Sequence, residues 1–202
     1  MKQKFQLHRL SAIQVAIVLL ILGLFFGVLF ANIFRDSYQE QMTKYQSTIF
    51  TDVTQNNIDY AGLFRYVLVK NYKEFFVFWL LSITILGIPY MAYKVINFGF
   101  FAGFFVSCVT IQFGLKGILL VLVYEFPHGL LYLPIILISL YKGFQLSSTV
   151  FRDNRNHIGG ISKLVKSNLI IILLLAVGLL FASFLEAYAG SFLLKKTLGL
   201  FT

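Results

Sequence analysis

The sequence has few charged residues: Lys, Arg, Asp and Glu make up 12% of its 202 residues. A typical soluble domain carries about 25%, because charge covers the surface that faces water. Hydrophobic residues make up 58% of the chain, far more than a disordered chain contains. The composition therefore excludes a disordered chain and argues against a soluble globular domain.

Cysteine and catalytic motifs are also scarce. Cys108 is the only cysteine, which excludes an intrachain disulfide, a cysteine-based zinc cluster and a Cys-x-x-Cys redox motif. No phosphate-binding loop, dinucleotide fingerprint, Gly-x-Ser-x-Gly elbow or His-Glu-x-x-His motif occurs. We therefore expect that the protein is not an enzyme and carries no cofactor and no metal.

Long apolar stretches take the place of charge. A helix needs about 20 apolar residues to cross the hydrocarbon core of a bilayer. Such stretches lie at residues 10–34, 75–93, 95–115, 117–141 and 168–190. The first is too long for a cleaved signal sequence, whose apolar region has about 7–15 residues. The sequence predicts an all-α membrane helix bundle, a single domain over residues 1–202 with about five transmembrane spans.

The basic residues indicate how these spans are oriented. Lys and Arg outnumber Asp and Glu by 17 to 8, which favours basic cytoplasmic loops over nucleic-acid binding. Residues 1–10 and the loop 142–167 are basic, and we place both in the cytoplasm. The loop 35–74 holds five basic and five acidic residues, and it then lies outside the cell, as does the C-terminus.

The outer loop has the pattern of amphipathic helices. One stripe at helical spacing is formed by Tyr38, Met42, Tyr45 and Ile49. After a polar break, Asp59 is a candidate N-cap for a second helix. The two helices either dock a partner outside the cell or rest on lipid headgroups as a linker. In the first case the partner-binding residues are Tyr45, Ile49, Leu63, Phe64 and Val67.

The fourth span carries ionisable residues at a depth where they are costly unless paired or hydrated. Glu125 and His128 are three residues apart, so they share a helical face and can bind each other. Pro127 removes a backbone donor and Gly129 loosens the helix, which predicts a break at Pro127-His128-Gly129. The pair can serve as a proton relay, as part of a metal site or as a structural lock. The lock is favoured because no chain of further polar partners accompanies the pair.

Small residues and one more carboxylate mark further contacts within the membrane. Gly23 and Gly27 are four residues apart, as are Gly99 and Gly103, the spacing that lets membrane helices approach closely. These glycines serve packing within one chain or, alternatively, a homodimer face. Glu186, near the outer end of the fifth span, is either an interfacial carboxylate or an internal partner for a lysine or a backbone gap.

Five short motifs follow one another in order between about residues 12 and 196. They are Asn71, Gly87-Ile-Pro89, Asn97-Phe-Gly99, Pro127-His128-Gly129-Leu130 and Phe184-Leu-Glu186-Ala-Tyr188. Their order and spacing resemble the stage II sporulation protein M family of bacterial membrane proteins, and the fourth looks like that family's Pro-His-Gly signature. Tyr132 is a departure, since many members carry an acidic residue at that position.

The resemblance implies a non-enzymatic membrane scaffold. The sporulation member anchors two peptidoglycan-cleaving enzymes, the stage II sporulation proteins D and P, at the septum during engulfment. By the resemblance, this chain lies in the bacterial cell membrane, at the septum, and binds wall hydrolases similar to these two. Its other expected partners are the lipid bilayer and, as a further option, a second copy; nucleic acid is not one. The alternative is a membrane subunit of a bacteriocin-type exporter, working with a separate ATP-binding subunit.

Overall fold

The computed structural model describes residues 12–55, 58–152 and 158–198, which are helical apart from short connections. The helices are α1 (Ala12–Ile33), α2 (Arg35–Gln55), α3 (Tyr60–Ser82), α4 (Gly87–Phe113), α5 (Leu115–Arg152), α6 (Ile158–Leu185) and α7 (Ser191–Leu198). A π-helical segment, Glu186–Gly190, joins α6 to α7. No strand occurs in these ranges, and the predicted all-α fold is confirmed.

Four stretches of the described chain are long and apolar enough to cross a membrane. They are Ile13–Ile33, Gly87–Phe113, Leu115–Val150 and Lys166–Leu198. The protein is therefore a polytopic membrane protein, and the first predicted span corresponds to α1. About five spans are expected from the sequence; α3 is not among the four because it carries Arg65, Lys70, Lys73 and Glu74.

The predicted second span, residues 75–93, does not exist as one helix. α3 ends at Ser82, and α4 begins at Gly87 after a short turn. Thr84 stabilises this turn, since its hydroxyl donates to the Leu81 carbonyl at 2.7 Å. Pro89 lies in the first turn of α4, where a missing N–H costs no helical hydrogen bond. Apolar residues continue through both helices, which is why the hydrophobic pattern conceals the turn.

The predicted outer loop, residues 35–74, is almost entirely helical. α2 covers residues 35–55, and Asp59 caps α3 as predicted, because its carboxylate accepts from the Gly62 N–H at 2.9 Å. α3 then continues from the predicted loop into the predicted span without interruption. Residues 60–74 are therefore part of the bundle.

The predicted break of the fourth span at Pro127-His128-Gly129 is wrong. α5 is one helix of 38 residues that contains both Pro127 and Pro134. A proline removes a single backbone hydrogen bond, and helices within a membrane tolerate this where neighbouring groups satisfy the freed carbonyl. α5 also extends to Arg152, and α6 begins at Ile158, so much of the predicted cytoplasmic loop 142–167 is helical.

Glycine allows the closest helix contact in the bundle, between α1 and α4. A Cβ atom at any of four positions would overlap backbone atoms of the facing helix: Gly23, Gly27, Gly99 and Gly103. These glycines therefore serve packing within one chain. Gly23 faces Ile96 and Gly27 faces Phe100, so residue numbers rise together and α1 and α4 run parallel.

α4, α5 and α6 alternate in direction. α4 and α5 are joined by the tight turn at Gly114, whose φ of 59° lies in the left-handed region that favours glycine. α5 and α6 form a long antiparallel pair, since Gly190 lies beside Tyr124 while Gly178 lies beside Ile135. α1, α4 and α6 therefore share one direction, and α5 has the other.

α3 has the direction of α5 and packs against α6. The Tyr60 ring stacks on Tyr188, and the Tyr72 hydroxyl donates to the Ala176 carbonyl at 2.8 Å, so numbers rise along α3 as they fall along α6. The core lies where α3, α5 and α6 meet. Its buried residues are Trp79, Ile135, Leu146, Leu175 and Ala182.

Candidate functional site

Polar side chains from α3, α5 and the end of α6 meet inside the bundle. The Asn71 amide donates to the Tyr132 hydroxyl and to Ser183 Oγ at 3.1 Å. The Tyr132 hydroxyl in turn donates to the Glu186 carboxylate at 2.8 Å. We call these four residues, Asn71, Tyr132, Ser183 and Glu186, the polar cluster. It links the three helices by a continuous series of hydrogen bonds.

Glu186 is the first residue of the π-helical segment. A π-helical turn accommodates one extra residue, and such turns occur frequently at functional sites. The Glu186 side chain is half-buried, and Tyr132 is its partner. Of the two roles left open for Glu186, an internal one is therefore observed, but with a tyrosine as partner. Lys94 pairs instead with Glu74, with 2.9 Å between Nζ and Oε2.

Glu125 and His128 approach each other as predicted. The Glu125 carboxylate lies 3.4 Å from His128 Nε2. His128 is only 3% exposed, whereas more than half of the Glu125 side chain is exposed. Among the described residues, His128 Nδ1 has no hydrogen-bond partner. The pair therefore connects the bundle surface to a buried imidazole nitrogen.

Of the residues in the Pro-His-Gly signature, His128 makes the main contacts with the rest of the bundle. A Cβ atom at Gly190 would lie 3.3 Å from His128 Nδ1, so the small residue in the π-helical segment leaves room for the ring. The imidazole also lies edge-on to the rings of Tyr124 and Tyr132. Gly129 has open space around it.

The predicted partner-binding residues fall into two groups. Tyr45 on α2 is 65% exposed. Phe64 packs against the aromatic rings of Phe184 and Tyr188, and Val67 is buried at 6% exposure. Leu63 is half-buried, and the Ile49 side chain lies outside the described residues. Val67 is therefore inside the bundle, and Phe64 takes part in aromatic packing between α3 and the end of α6.

α2 is fixed at one end of the bundle through Tyr38. The Tyr38 hydroxyl donates to the Ala31 carbonyl, and the Cys108 thiol donates to the Tyr38 oxygen at 3.6 Å. Burial, followed by the contact with Cys108, raises the pKa of Tyr38 to about 12. A phenol is protonated at neutral pH in any case, and the raised pKa keeps the Tyr38 hydrogen bond to the end of α1 into the alkaline range. α2 also contacts α7, so it lies at the end of the bundle where α1 and α4 end.

Two features of the site could not be found in the sequence pattern. Tyr132 and Glu186 are 54 residues apart, and Asn71 and Tyr132 are 61 apart, so no local spacing connects them.

In the part of the chain that the structure describes, no group of three or more His, Cys, Asp and Glu side chains is placed to hold a metal ion.

Comparison with known proteins gives one family. The model of the family described as Stage II sporulation protein M matches residues 16–190, a range that includes most of α1, the polar cluster and the Glu125–His128 pair. No curated protein and no solved structure matches the chain.

Proposed function

We propose, because the chain belongs to the stage II sporulation protein M family, that it anchors and positions peptidoglycan-remodelling enzymes in the bacterial cell membrane. The septal wall degradation of engulfment is the process we assign to it. A scaffold of this kind does no chemistry. It acts by confining its partners to one membrane plane, which raises their effective concentration near the wall.

The proposal depends on the position and the polar composition of α2. α2 is a largely polar helix of 21 residues that lies at one end of a hydrophobic bundle. α1 and α6 both begin at the opposite end, and the sequence before α1 and around the start of α6 is rich in basic residues. By the positive-inside rule that end is cytoplasmic, so α2 and α7 lie outside the cell, where wall enzymes act.

Tyr45 tests the docking role of α2. Buried aromatic residues dominate many interfaces, and truncating one often costs about 2 kcal/mol or more, roughly thirtyfold in affinity. We expect Tyr45→Asp to reduce recovery of a co-expressed wall hydrolase at least tenfold while membrane insertion is unchanged. Tyr45→Phe, which keeps the ring, is the matched control and should retain recovery. Full recovery after α2 is exchanged for an unrelated polar helix would refute this docking site.

The exporter subunit is a second candidate, and one observation favours it. His128 is buried, its Nδ1 has no hydrogen-bond partner within the described ranges, and it contacts a surface carboxylate, an arrangement that can pass a proton. The other polar groups near it, Tyr132 and Glu186, are held in the polar cluster.

Glu125→Gln separates the two candidates. The glutamine keeps the size and the polarity of the side chain but cannot release a proton. For a scaffold we expect unchanged partner recovery and no effect on proton permeability of liposomes that contain the protein. A loss of proton flux of tenfold or more in these liposomes, with the fold intact, would favour the exporter instead.

A further inference from the structure

α3 is a fifth membrane-crossing helix, in addition to the four candidate spans. α1 and α4 are both candidate spans and run parallel, so the chain must return across the membrane between them. α3 runs in the opposite direction and ends at the short turn before α4. Its 23 residues extend over about 34 Å, enough to cross a bilayer. α3 therefore crosses although its composition alone does not identify it as a span.

Two lysines lie near the middle of this crossing. Lys70 is ten residues from the start of α3 and Lys73 is nine from its end, which places each about 14 Å or more from either end. Both lysines are exposed, and neither has an ion-pair or hydrogen-bond partner among the described residues. A lysine side chain covers only part of the distance to the membrane surface. An unpaired ammonium at this depth is costly, so such residues normally have a partner.

The surface around the lysines is suited to a helix. Tyr66, Lys70, Lys73 and Val77 recur at helical spacing and form one exposed stripe along α3. Large apolar side chains continue it toward the end of the helix, with Phe76 73% and Leu80 59% exposed. We call the six residues Tyr66, Lys70, Lys73, Phe76, Val77 and Leu80 the α3 outer face.

Among the residues that the structure describes, the acidic groups at membrane depth already have partners. Glu74 pairs with Lys94, Glu186 accepts from Tyr132, and Glu125 lies beside His128. The charge that would neutralise the α3 outer face must therefore come from outside the chain.

We propose that the α3 outer face docks a transmembrane helix of a different protein, one that carries an Asp or Glu near the middle of its span. Charge complementarity identifies this occupant. In a twofold dimer about the membrane normal, α3 facing α3 would bring Lys70 and Lys73 against their own copies, which repel. The headgroups of anionic lipids lie at the membrane surface, too far from mid-membrane lysines. The pairing does not require that the partner is a wall-remodelling enzyme.

A single-span probe of defined sequence tests the proposal. The probe is a Leu/Ala transmembrane helix with one central Glu, compared with the same helix carrying Gln. Both are co-expressed with the full chain, which holds a photocrosslinking amino acid in place of Val77. A second site, Ile21 on the exposed side of α1 (57% exposed), reports random encounters at a similar depth. We expect the Glu probe to crosslink at position 77 at least ten times more than the Gln probe, with no such difference at position 21.

Substitutions in α3 identify the charges responsible. Lys70→Leu with Lys73→Leu should reduce crosslinking of the Glu probe to the level of the Gln probe, and removal of two membrane-embedded charges favours insertion. Arg65→Leu, which removes a charge closer to the end of α3, is the matched control and should leave crosslinking unchanged. In a variant with Lys70→Glu and Lys73→Glu, we expect position 77 to crosslink more to a probe with a central Lys than to the probe with a central Glu.

Three results would overturn the proposal. Equal crosslinking of the Glu and Gln probes would show that charge does not select the occupant. Undiminished crosslinking of the Lys70→Leu, Lys73→Leu variant would show that these lysines do not bind it. Crosslinking of position 77 to a second copy of the chain, undiminished by excess Glu probe, would assign the face to self-association.

Discussion

Gly27→Ala is expected to separate α1 from α4 and to lower the free energy of unfolding by about 3 kcal/mol or more. A Cβ atom at this position would overlap the Phe100 carbonyl and lie 2.8 Å from the Phe104 backbone nitrogen. Added methyl groups in packed cores cost about 1–3 kcal/mol, and here the opposing atoms are backbone atoms that cannot change rotamer. The measurement is unfolding of the purified protein in mixed micelles by increasing fractions of sodium dodecyl sulfate.

Gly129→Ala is the control for this prediction. Gly129 is also a helical glycine in a membrane span, but an added Cβ atom meets nothing within 4 Å. Alanine favours a helix over glycine by about 1 kcal/mol, so we expect unchanged or slightly greater stability. If the two substitutions had equal effects, the close approach of α1 and α4 would not be the cause.

Tyr132→Phe is expected to destabilise the protein by about 1–3 kcal/mol, the usual cost of a buried polar group that loses its partner. The Tyr132 hydroxyl accepts from Asn71 and donates to Glu186. Without it, the half-buried Glu186 carboxylate loses its hydrogen-bond donor at membrane depth. The same unfolding titration measures the change.

Tyr124→Phe is the matched control for the hydroxyl. Tyr124 is also on α5, near His128, and among the described residues its hydroxyl makes no hydrogen bond. We expect its loss to change stability by less than about 0.5 kcal/mol. A double-mutant cycle of Tyr132→Phe with Glu186→Leu, which removes the acceptor, should then show a coupling free energy; additive effects would contradict a direct bond between the two side chains.

Features that depend on neighbours along the chain could be predicted from the sequence. Asp59 caps α3 because the N-cap contact involves residues three apart. Glu125 and His128 meet because three residues make almost one helical turn. The glycine spacing of α1 and α4 identifies surfaces that permit close contact, but not which surfaces will meet.

Features that depend on contacts between distant parts of the chain could not be predicted from the sequence. The turn between α3 and α4 interrupts an apolar stretch without any loss of hydrophobicity, so periodicity does not reveal it. Pro127 predicts a broken helix when α5 is considered alone, whereas packing keeps the helix continuous. Val67 has the pattern of a surface residue on an amphipathic helix, and α3 buries it because the helix crosses the bundle.

The parallel contact of α1 with α4 has a consequence for biosynthesis. Gly27 and the Phe100 backbone that covers it are about seventy residues apart in the chain. Asn71 on α3 is 61 residues from its partner Tyr132 on α5, and Tyr72 is 104 residues from its partner Ala176 on α6. The ribosome delivers α1 and α3 to the lipid well before their packing surfaces exist. α1 therefore enters the membrane before α4, and α3 enters before α5 and α6, so the bundle assembles stepwise as these later helices are synthesised.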